Sequence, residues 1–412
     1  MYHTAPVPSC DCKPPNNRCE TTVMDSAQEQ DAPRNENLNS LKIVKVDKRA
    51  SLNEFIRLLW PLYEDDPAWV PPLMLERRMQ LAPSNPYFEH AEYSSWVAYR
   101  GQTPVGRISA QVDQLHLDVH QDATGFFGML ESENNSETFR ALMDTAESWL
   151  RNRGMRRVAG PYNLSINQEL GLLIDGFDTP PVVMMGHARP YYAERIEENG
   201  YRKEKDLLAY IIDLDFEHPR AMQAIMARAR KRVQTRYIRK SDFKAELNLI
   251  RDIFNDAWSQ NWGFIPFTDH EFQHLGKDLK MLVEEDMIII ASVDDVPAAF
   301  IVGLPNINEI IRDLNGRLLP FGWLKLLWRL KVKYPTTGRV PLMGVRCEYH
   351  DSMLGAALAF AVIAGLQTPA LKHGLKEMEL SWILEDNKGM RNIIETITGR
   401  VYKTYRIYSK EL

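Results

Sequence analysis

One local pattern occurs twice along the chain, and this repeat constrains the fold more than any single residue does. The first copy is a strand, a turn and a strand over residues 96–108, followed much later by a helix, Gly200 and a closing strand. The second copy is residues 287–300, followed by a helix, Gly399 and the final strand. Roughly a hundred residues separate the turn from the closing glycine in each copy, which is about one domain length. The repeat predicts two similar α/β units in tandem.

The order of helices and strands predicts an α/β fold with a mixed α+β sheet and helices on both faces. We place an N-terminal unit at 41–214, a basic helical linker at 215–240 and a C-terminal unit at 241–412, with an amphipathic insertion at 306–337. The cations of the linker, which is predicted as a helix over 224–236, have two interpretations. A solvated face is commoner than a binding site for an anionic ligand, and both remain open.

Residues 1–40 have low hydrophobicity and no periodicity, so we expect a disordered tail. Three of the four cysteines lie there, at Cys10, Cys12 and Cys19. A zinc site needs a fourth ligand, and none stands at a familiar spacing, so we expect solvated thiols and no metal.

The composition is that of a globular protein, with 44% hydrophobic and 25% charged residues, and the chain is long enough for two cores. A net charge of -5 argues against a protein that neutralises many phosphates, so we expect no nucleic-acid partner. The sequence shows neither an uninterrupted run of about twenty apolar residues nor a signal peptide. These features predict a cytoplasmic protein.

The succession of elements in each unit resembles the GCN5-related N-acyltransferase (GNAT) fold, here in tandem. Several longer phrases also resemble a bacterial GNAT-like family that includes the YghO-type proteins and is similar to the GNAT-type bacterial ceramide synthases. The phrases are WVPPL (69–73), NPYFEHAE (85–92), GFFG (125–128), GLLIDGFDTPP (171–181), NWGFIP (261–266) and SWILEDN (381–387). The resemblance covers the chain from about residue 41 to its end.

The resemblance implies an N-acyltransferase that takes an acyl chain from acyl-CoA or acyl carrier protein. It also implies an amine acceptor, which the ceramide synthases suggest is a long-chain lipid amine such as a sphingoid base. Two alternatives stay open. One is an acetyl- or aminoacyltransferase acting on a soluble or cell-wall amine, and the other is a GNAT-like protein that binds an acylated ligand without catalysis.

In GNAT proteins the loop after the fourth strand binds the donor's phosphates through backbone N–H groups at a helix N-terminus. The resemblance places the donor in the second unit, where this loop contains Gly355 and Ala356. The usual leading Arg or Gln is absent, and Asp351 would repel phosphate. A tightly packed helix capped by Asp351 or Ser352 is an equal alternative, and an acyl-carrier-protein donor would need this loop less. The candidate donor-binding residues are Val345, Arg346, Gly355, Ala356 and Asn387.

Acylation of an amine requires a group that removes the ammonium proton. Glu348 and His350 follow the strand where the family's thioester lies, and Glu385 closes the next strand. Tyr405 in the last strand is a candidate for returning a proton to the thiolate. Salt bridges, surface positions and aromatic packing are the commoner fates of these side chains.

Two further segments point to the substrate. The irregular stretch after residue 162 carries Asn163, Asn167 and Glu169, which are expected to line a substrate pocket facing the second unit or to satisfy loop backbone groups. We add Trp262 to this substrate set. Residues 318–333 combine two tryptophans, many leucines and several cations without an acid, a composition typical of a helix at a membrane surface. Such a helix would give peripheral contact with the inner membrane; packing on its own domain is the alternative.

Overall fold

The computed structural model describes residues 40–280 and 283–412. The predicted disordered tail and its three cysteines therefore lie outside the described residues. The elements of the N-terminal half are β1 Leu41–Lys45, α1 Arg49–Arg57, α2 Leu59–Leu62, α3 Met74–Gln80, β2 Ala91–Arg100, β3 Thr103–Asp113, α4 Gln114–His120, β4 Thr124–Ser132, α5 Ser136–Arg151, β5 Arg157–Gly160, β6 Tyr162–Asn163, β7 Glu169–Leu170, β8 Leu172–Asp175, α6 Tyr192–Glu198 and β9 Arg202–Asp213.

The C-terminal half repeats this plan after residue 214. Its elements are α7 Arg220–Ala229, β10 Val233–Tyr237, α8 Phe243–Trp258, α9 Asp269–Leu279, β11 Ile288–Val293, β12 Val296–Pro305, α10 Asn308–Ile311, α11 Gly322–Val332, β13 Thr337–Val345, α12 Met353–Lys372, β14 Glu377–Leu384, α13 Lys388–Thr396 and β15 Arg400–Glu411.

Strands of both halves form one mixed sheet. Its order is β1-β2-β3-β4-β5-β15-β9-β14-β13-β12-β11-β10, and β8 adds a short pairing to β15. In each half four antiparallel strands are followed by one parallel pair, which is β4–β5 in the first half and β13–β14 in the second. The predicted mixed sheet with two similar units is confirmed.

The closing strands are exchanged between the halves, which the sequence pattern does not predict. The last strand of the N-terminal half, β9, pairs with β14 of the other half, with Ile212 opposite Met378. The last strand of the chain, β15, pairs with β5, with Tyr408 opposite Gly160. The two closing strands also pair with each other. Each half is therefore completed by a strand that the other half supplies.

The two hydrophobic cores reflect this exchange. Ile212 and Leu214, at the end of β9, are buried in the core of the C-terminal half. Tyr405 and Ile407 of β15 are buried in the core of the N-terminal half. Because apolar surface from each half lies in the other half's core, separating the halves would expose both cores to water.

The predicted basic linker helix over 224–236 is wrong in its second part. The helix α7 ends at Ala229, and residues 233–237 form β10 at the edge of the sheet, antiparallel to β11. Two of its cations are neutralised by acids of the same half: Arg232 pairs with Asp294 at 2.6 Å, and Arg236 pairs with the buried Glu246 at 2.9 Å. These contacts support a structural role for the basic residues.

Helix α12 has the length and mean hydropathy, 1.7, of a membrane span, alone among the helices of the described ranges. Ten of its twenty residues are nevertheless buried in the protein, and it contacts β11, β12 and α7. Its apolar character is accounted for by its place in the core of the C-terminal half.

The insertion between β12 and β13 packs on the N-terminal half. The indole Nε1 of Trp60 donates to Asn315 Oδ1 at 2.5 Å, and the backbone N–H of Met74 donates to Gly316 O at 3.0 Å. A Cβ at Gly316 would lie 2.6 Å from the Trp60 ring, so this turn requires glycine. The insertion therefore connects the C-terminal half to the helical layer of the first.

Candidate active site

Two parallel strands of the C-terminal half diverge and leave a cavity between them. The strands β13 and β14 pair from Thr337 opposite Glu377 to Val340 opposite Leu380, and they separate beyond that point. The resulting splay cavity measures about 640 Å³. Its lining includes Met343, Val345, Ala356, Trp382, Asn387 and Met390. The strand β13 keeps its pairing with β12 as far as Val345, so its free edge faces the cavity.

The N-terminus of α12 lies at the wide end of the splay cavity. Ser352 caps this helix, because its hydroxyl accepts from Gly355 N at 3.0 Å and donates to Tyr349 O at 2.7 Å. A Cβ at Gly355 would lie 2.1 Å from that same carbonyl oxygen. Gly355 is therefore required by the turn that enters the helix, and one of the N–H groups expected to bind phosphate already has a partner. Asp351 is exposed at this position.

The cavity fits the thioester arm that acyl-CoA and acyl carrier protein have in common. The free edge of β13 offers backbone groups to the amides of such an arm, and the space continues towards the narrow end near Val340. The phosphate loop fits less well, because Asp351 adds negative charge where the pyrophosphate of CoA would lie.

Two tryptophans of the splay cavity differ in their hydrogen bonding. Trp258 Nε1 donates to Met343 O at 2.9 Å. Trp382 Nε1 is buried and finds no hydrogen-bond partner in the described part of the chain. A buried donor without a partner is costly, so Trp382 is a ready contact for an acceptor atom of a ligand.

Five of the predicted residues line the splay cavity, namely Val345, His350, Gly355, Ala356 and Asn387. His350 Nε2 lies 2.7 Å from Val345 O, and Asn387 caps α13 by accepting from Met390 N at 3.0 Å. Asn387 is thus a helix cap at a position that also lines the cavity.

The other predicted catalytic and donor-binding residues lie outside this lining. Glu348 is exposed, and Arg346 is held by Pro297 O at 3.0 Å and by Asp252. Glu385 accepts from Lys203 Nζ at 2.7 Å and from the backbone N–H of Asp206 at 3.1 Å. These contacts give Arg346 and Glu385 structural partners.

Tyr405 lies inside the protein rather than at the splay cavity. Its side chain is fully buried, and its hydroxyl donates to Gly186 O at 3.3 Å. Burial raises the pKa of Tyr405 well above its ordinary value. A phenol in this environment holds its proton, so proton return to a thiolate in the splay cavity gains no support from the position of Tyr405.

The corresponding splay of the N-terminal half is filled by the chain itself. Beyond Phe126 opposite Ala159, β4 and β5 separate, and the hairpin β6–β7 enters the gap. Met129 N donates to Asn163 Oδ1 at 2.7 Å, and a Cβ at Gly128 would lie 1.7 Å from Tyr162 O. Within residues 40–280 and 283–412, the open parallel pair is therefore β13–β14.

A second cavity of about 460 Å³ lies between the two halves. We call it the interdomain cavity. Asn163, Asn167 and Glu169 line it, as the sequence predicts for a substrate pocket facing the second unit. Asn163 Nδ2 donates to Glu169 Oε2 at 3.1 Å. Burial raises the pKa of Glu169, but the ion pair with Arg77 outweighs it and lowers that pKa. Trp262 lies elsewhere, with its ring 5.8 Å from Lys205 Nζ.

A thin partition separates the two cavities. Arg339 is fully buried in it and donates to Met184 O at 3.1 Å and to Ser381 Oγ at 2.9 Å. Met184 lines the interdomain cavity, whereas Ser381 lines the splay cavity. Ser381 Oγ also donates to the buried Glu379 at 2.5 Å, and burial raises the pKa of Glu379. A carboxyl group with a hydrogen-bonded path to the narrow end of the splay cavity can hold a proton there.

The candidate site also contains four residues that are not among the sequence-based candidates, namely Arg339, Glu379, Ser381 and Trp382. Ser381 and Trp382 belong to SWILEDN (381–387), one of the phrases that resemble the family, and that resemblance could have indicated them as site residues. Glu379 is a charged residue at an inward position of the apolar strand β14, and its complete burial needs a partner. Among the described residues no cluster of three or more metal-ligating side chains is present.

Comparisons with known proteins give the family. No protein-family model matches the chain. Protein YghO of Escherichia coli (strain K12) is 49% identical over 362 residues, which cover 88% of this chain and 93% of that protein. Bacterial ceramide synthase of Caulobacter vibrioides (strain NA1000 / CB15N) is 44% identical over 375 residues, covering 90% of this chain and 98% of that protein.

Solved structures agree on the fold. A tandem GNAT protein from the clavulanic acid biosynthesis pathway superposes with a TM-score of 0.53 at 12% identity, over 90% of this chain and 98% of that one. A GCN5-related glucosamine N-acetyltransferase region of a fungal multi-domain enzyme gives the same TM-score at 14% identity, over 90% of this chain and 38% of that one. The chain therefore belongs to the bacterial family of YghO and the bacterial ceramide synthase, and it has the tandem GNAT acyltransferase fold.

Proposed function

We propose that the protein is an N-acyltransferase that moves a long acyl chain from a thioester donor to the amine of a lipid, such as a sphingoid base. The observation that carries this proposal is the open splay of β13 and β14, beside a closed splay in the other half. An open strand edge accommodates the extended thioester arm of the donor. The C-terminal half is therefore the donor-binding half.

The residues at the narrow end of the splay cavity suit acyl transfer to an amine. The protonated amine must first give up one proton. Its nitrogen then bonds to the acyl carbon, the C–S bond breaks, and a second proton from the nitrogen leaves with the thiolate as the free thiol of the donor. Ser381 lines the cavity and is hydrogen-bonded to Glu379, so the proton can pass to Glu379 through the Ser381 hydroxyl. His350 follows β13 at the opposite, wide end and lines the cavity there, whereas Glu348 lies outside the lining.

The donor itself is either acyl-CoA or acyl carrier protein. Asp351 and the Ser352 cap weaken the helix N-terminus as a pyrophosphate site, and an acyl carrier protein does not require such a site. We therefore expect acyl carrier protein to serve at least as well as CoA.

The lipid acceptor is supported by the name of one relative and by the insertion. Helix α11 exposes large apolar side chains, among them Trp323, Trp328 and Val332, the last two at 57% and 65%. Exposed aromatic and aliphatic residues beside lysine and arginine are the composition of a helix at a membrane interface. We propose that α11 rests on an anionic membrane surface, on the cytoplasmic side of the inner membrane.

The function is tested with the full chain, a long-chain amine and either acyl-CoA or acyl carrier protein, with the amide product measured by mass spectrometry. Ala356→Trp fills the splay cavity from α12, and we expect amide formation to fall at least about tenfold, which is ~1.4 kcal/mol in the barrier. Leu371→Trp, at the exposed end of the same helix, is the matched control and should retain activity.

Absence of amide with both donors would contradict the proposal and favour a binding protein. Faster transfer to short soluble amines than to the long-chain amine would instead favour the alternative of a soluble or cell-wall acceptor.

A further inference from the structure

The interdomain cavity has an apolar wall built from both halves. Leu59, Leu73, Met79 and Met129 come from the N-terminal half, and Ile307, Ile311 and Leu318 come from the insertion of the C-terminal half. Methionine is unbranched and adapts to chains of variable shape. A wall of leucine, isoleucine and methionine side chains therefore suits an alkyl chain.

The opposite side of the interdomain cavity is polar and carries charged side chains of both signs. The charged residues of the described lining are four carboxylates and two guanidinium groups, namely Glu76, Glu131, Glu169, Glu271, Arg77 and Arg107. Arg77 pairs with Glu169, and Arg107 lies 3.9 Å from Glu131. Burial raises the pKa of Glu131, and Glu271 pairs with His90 of the N-terminal half, so the number of acids alone does not give the sign of the net charge. Burial also opposes ionisation of Glu169, but the ion pair with Arg77 outweighs it and lowers the pKa. Glu169 is therefore an ionised carboxylate that a protonated amine can contact.

Two buried polar atoms of this lining have no hydrogen-bond partner within the described residues, His187 Nδ1 and Arg107 Nε. The side chain of His187 is 3% exposed, and its Nε2 lies 2.9 Å from Asp66 Oδ2. Burial lowers the pKa of His187, so the ring is neutral near pH 7. With its one proton donated to Asp66, the neutral ring presents a lone pair at Nδ1.

Arg107 contributes the complementary group. Its Nη1 already donates to Phe55 O at 2.8 Å, whereas Nε is a donor that needs an acceptor. One hydroxyl or amine N–H is required for His187 Nδ1, and one oxygen is required for Arg107 Nε. An amino alcohol supplies both from a single small head group.

We infer that the interdomain cavity is the acceptor site and that it takes a single-chain amino alcohol, with the head group at His187, Arg107 and Glu169 and the alkyl chain along the Leu73 wall. This inference rests on the proposed N-acyltransferase function and specifies where its acceptor binds. The partition formed by Arg339, Met184 and Ser381 places this site next to the narrow end of the splay cavity.

The mouth of the interdomain cavity lies beside the exposed insertion. Leu75 and Met79 of the lining are 52% and 49% exposed. Leu318 lines the cavity and packs in the same apolar cluster as Leu326 and Leu330 of α11. The apolar cluster that holds α11 therefore adjoins the cavity, next to the exposed Leu75 and Met79.

The test measures binding of sphinganine, a long-chain amino diol, to the full chain by isothermal titration calorimetry with the amine supplied on cyclodextrin. Leu73→Trp fills the apolar wall, and we expect the Kd for sphinganine to rise at least about tenfold. Ala356→Trp, which fills the splay cavity, is the matched control and should leave the Kd within about twofold. Unchanged Kd in Leu73→Trp, or a larger loss in Ala356→Trp, would overturn the inference.

A second variant tests the head group without altering the wall. Wild type should bind sphinganine at least about fivefold more tightly than an amine of equal chain length without hydroxyls. We expect His187→Phe to abolish this preference, because it removes the Nδ1 acceptor. A preference retained in His187→Phe would contradict the inference even if Leu73→Trp does not fold.

The outcomes for the site and for the function are distinguishable. Amide formation by wild type together with unchanged amine affinity in both cavity variants would leave the function intact and overturn the site. Tight sphinganine binding that Leu73→Trp abolishes, without any amide product, would leave the site intact and contradict the function.

Discussion

Trp382 has an indole N–H without a hydrogen-bond partner among the described residues. Its Nε1 is a buried donor in the wall of the splay cavity. We expect Trp382→Phe to raise the KM for the thioester donor about three- to tenfold, which corresponds to ~0.5–1.5 kcal/mol for one neutral hydrogen bond, with little change in kcat. Steady-state kinetics at saturating amine provide the measurement.

Trp258→Phe is the control for that measurement. The Nε1 of Trp258 is already bonded to Met343 O. Loss of this hydrogen bond should therefore lower the melting temperature and leave the donor KM nearly unchanged. An unchanged donor KM in Trp382→Phe would show that the donor makes no contact with this nitrogen.

Single residues also show where sequence reasoning succeeds and where it stops. Asn163, Asn167 and Glu169 were predictable as pocket residues because polar side chains in a long irregular connection commonly line sites. The contact between Asp66 and His187 joins residues 121 positions apart, and no local pattern indicates it. Glu385 looked free at a strand end, but its partner Lys203 comes from the exchanged strand β9.

Helix α11 is the element that we expect to bind a membrane surface. We expect the double substitution Trp323→Glu and Trp328→Glu to lower binding to vesicles of anionic phospholipid at least about tenfold, because two apolar rings are replaced by carboxylates on the contacting face. Flotation of the purified chain with such vesicles on a density gradient is the measurement.

The control replaces two exposed apolar residues outside the insertion, Val119→Glu and Val296→Glu. Equal loss of flotation in both double variants would point to net charge rather than to α11. Absence of flotation in wild type would contradict the proposal that the protein binds an anionic membrane surface.

Elements differ in how far local sequence determines them. Helix α12 begins where the sequence offers a helix capped by Asp351 or Ser352, and Ser352 is the residue that caps it. The segment at 233–237 is a strand because it pairs with the free edge of β11, and that edge exists in the folded protein alone.

His90 links the two halves through charge, and the stability of the whole molecule should depend on it. Its Nδ1 lies 2.9 Å from Asp113 and its Nε2 lies 3.3 Å from Glu271 of α9. Burial lowers the pKa of His90, but the nearby carboxylates of Asp113 and Glu271 outweigh it and raise that pKa to about 9. The stabilisation is complete below the unfolded value of about 6.5 and is lost as the pH rises through about 9.

Urea unfolding at pH 6.0 and pH 9.5 tests this link. We expect the free energy of unfolding to fall between these values by up to about 3 kcal/mol more in wild type than in His90→Gln. Lys403, whose pKa burial lowers to about 8, titrates in the same range in both proteins, so its effect cancels. Equal pH dependence of the free energy of unfolding in the two proteins would show that folding does not raise the pKa of His90.

The exchanged closing strands have a consequence for synthesis on the ribosome. The edge of β5 is covered by residues 157–160 pairing with residues 408–411, which are translated after the rest of both halves described above. Until β15 has left the ribosome, the nascent N-terminal half holds an unpaired strand edge and an incomplete core that lacks Tyr405 and Ile407. The half that is synthesised first is thus completed last, and loss of β15 by truncation would leave its sheet open.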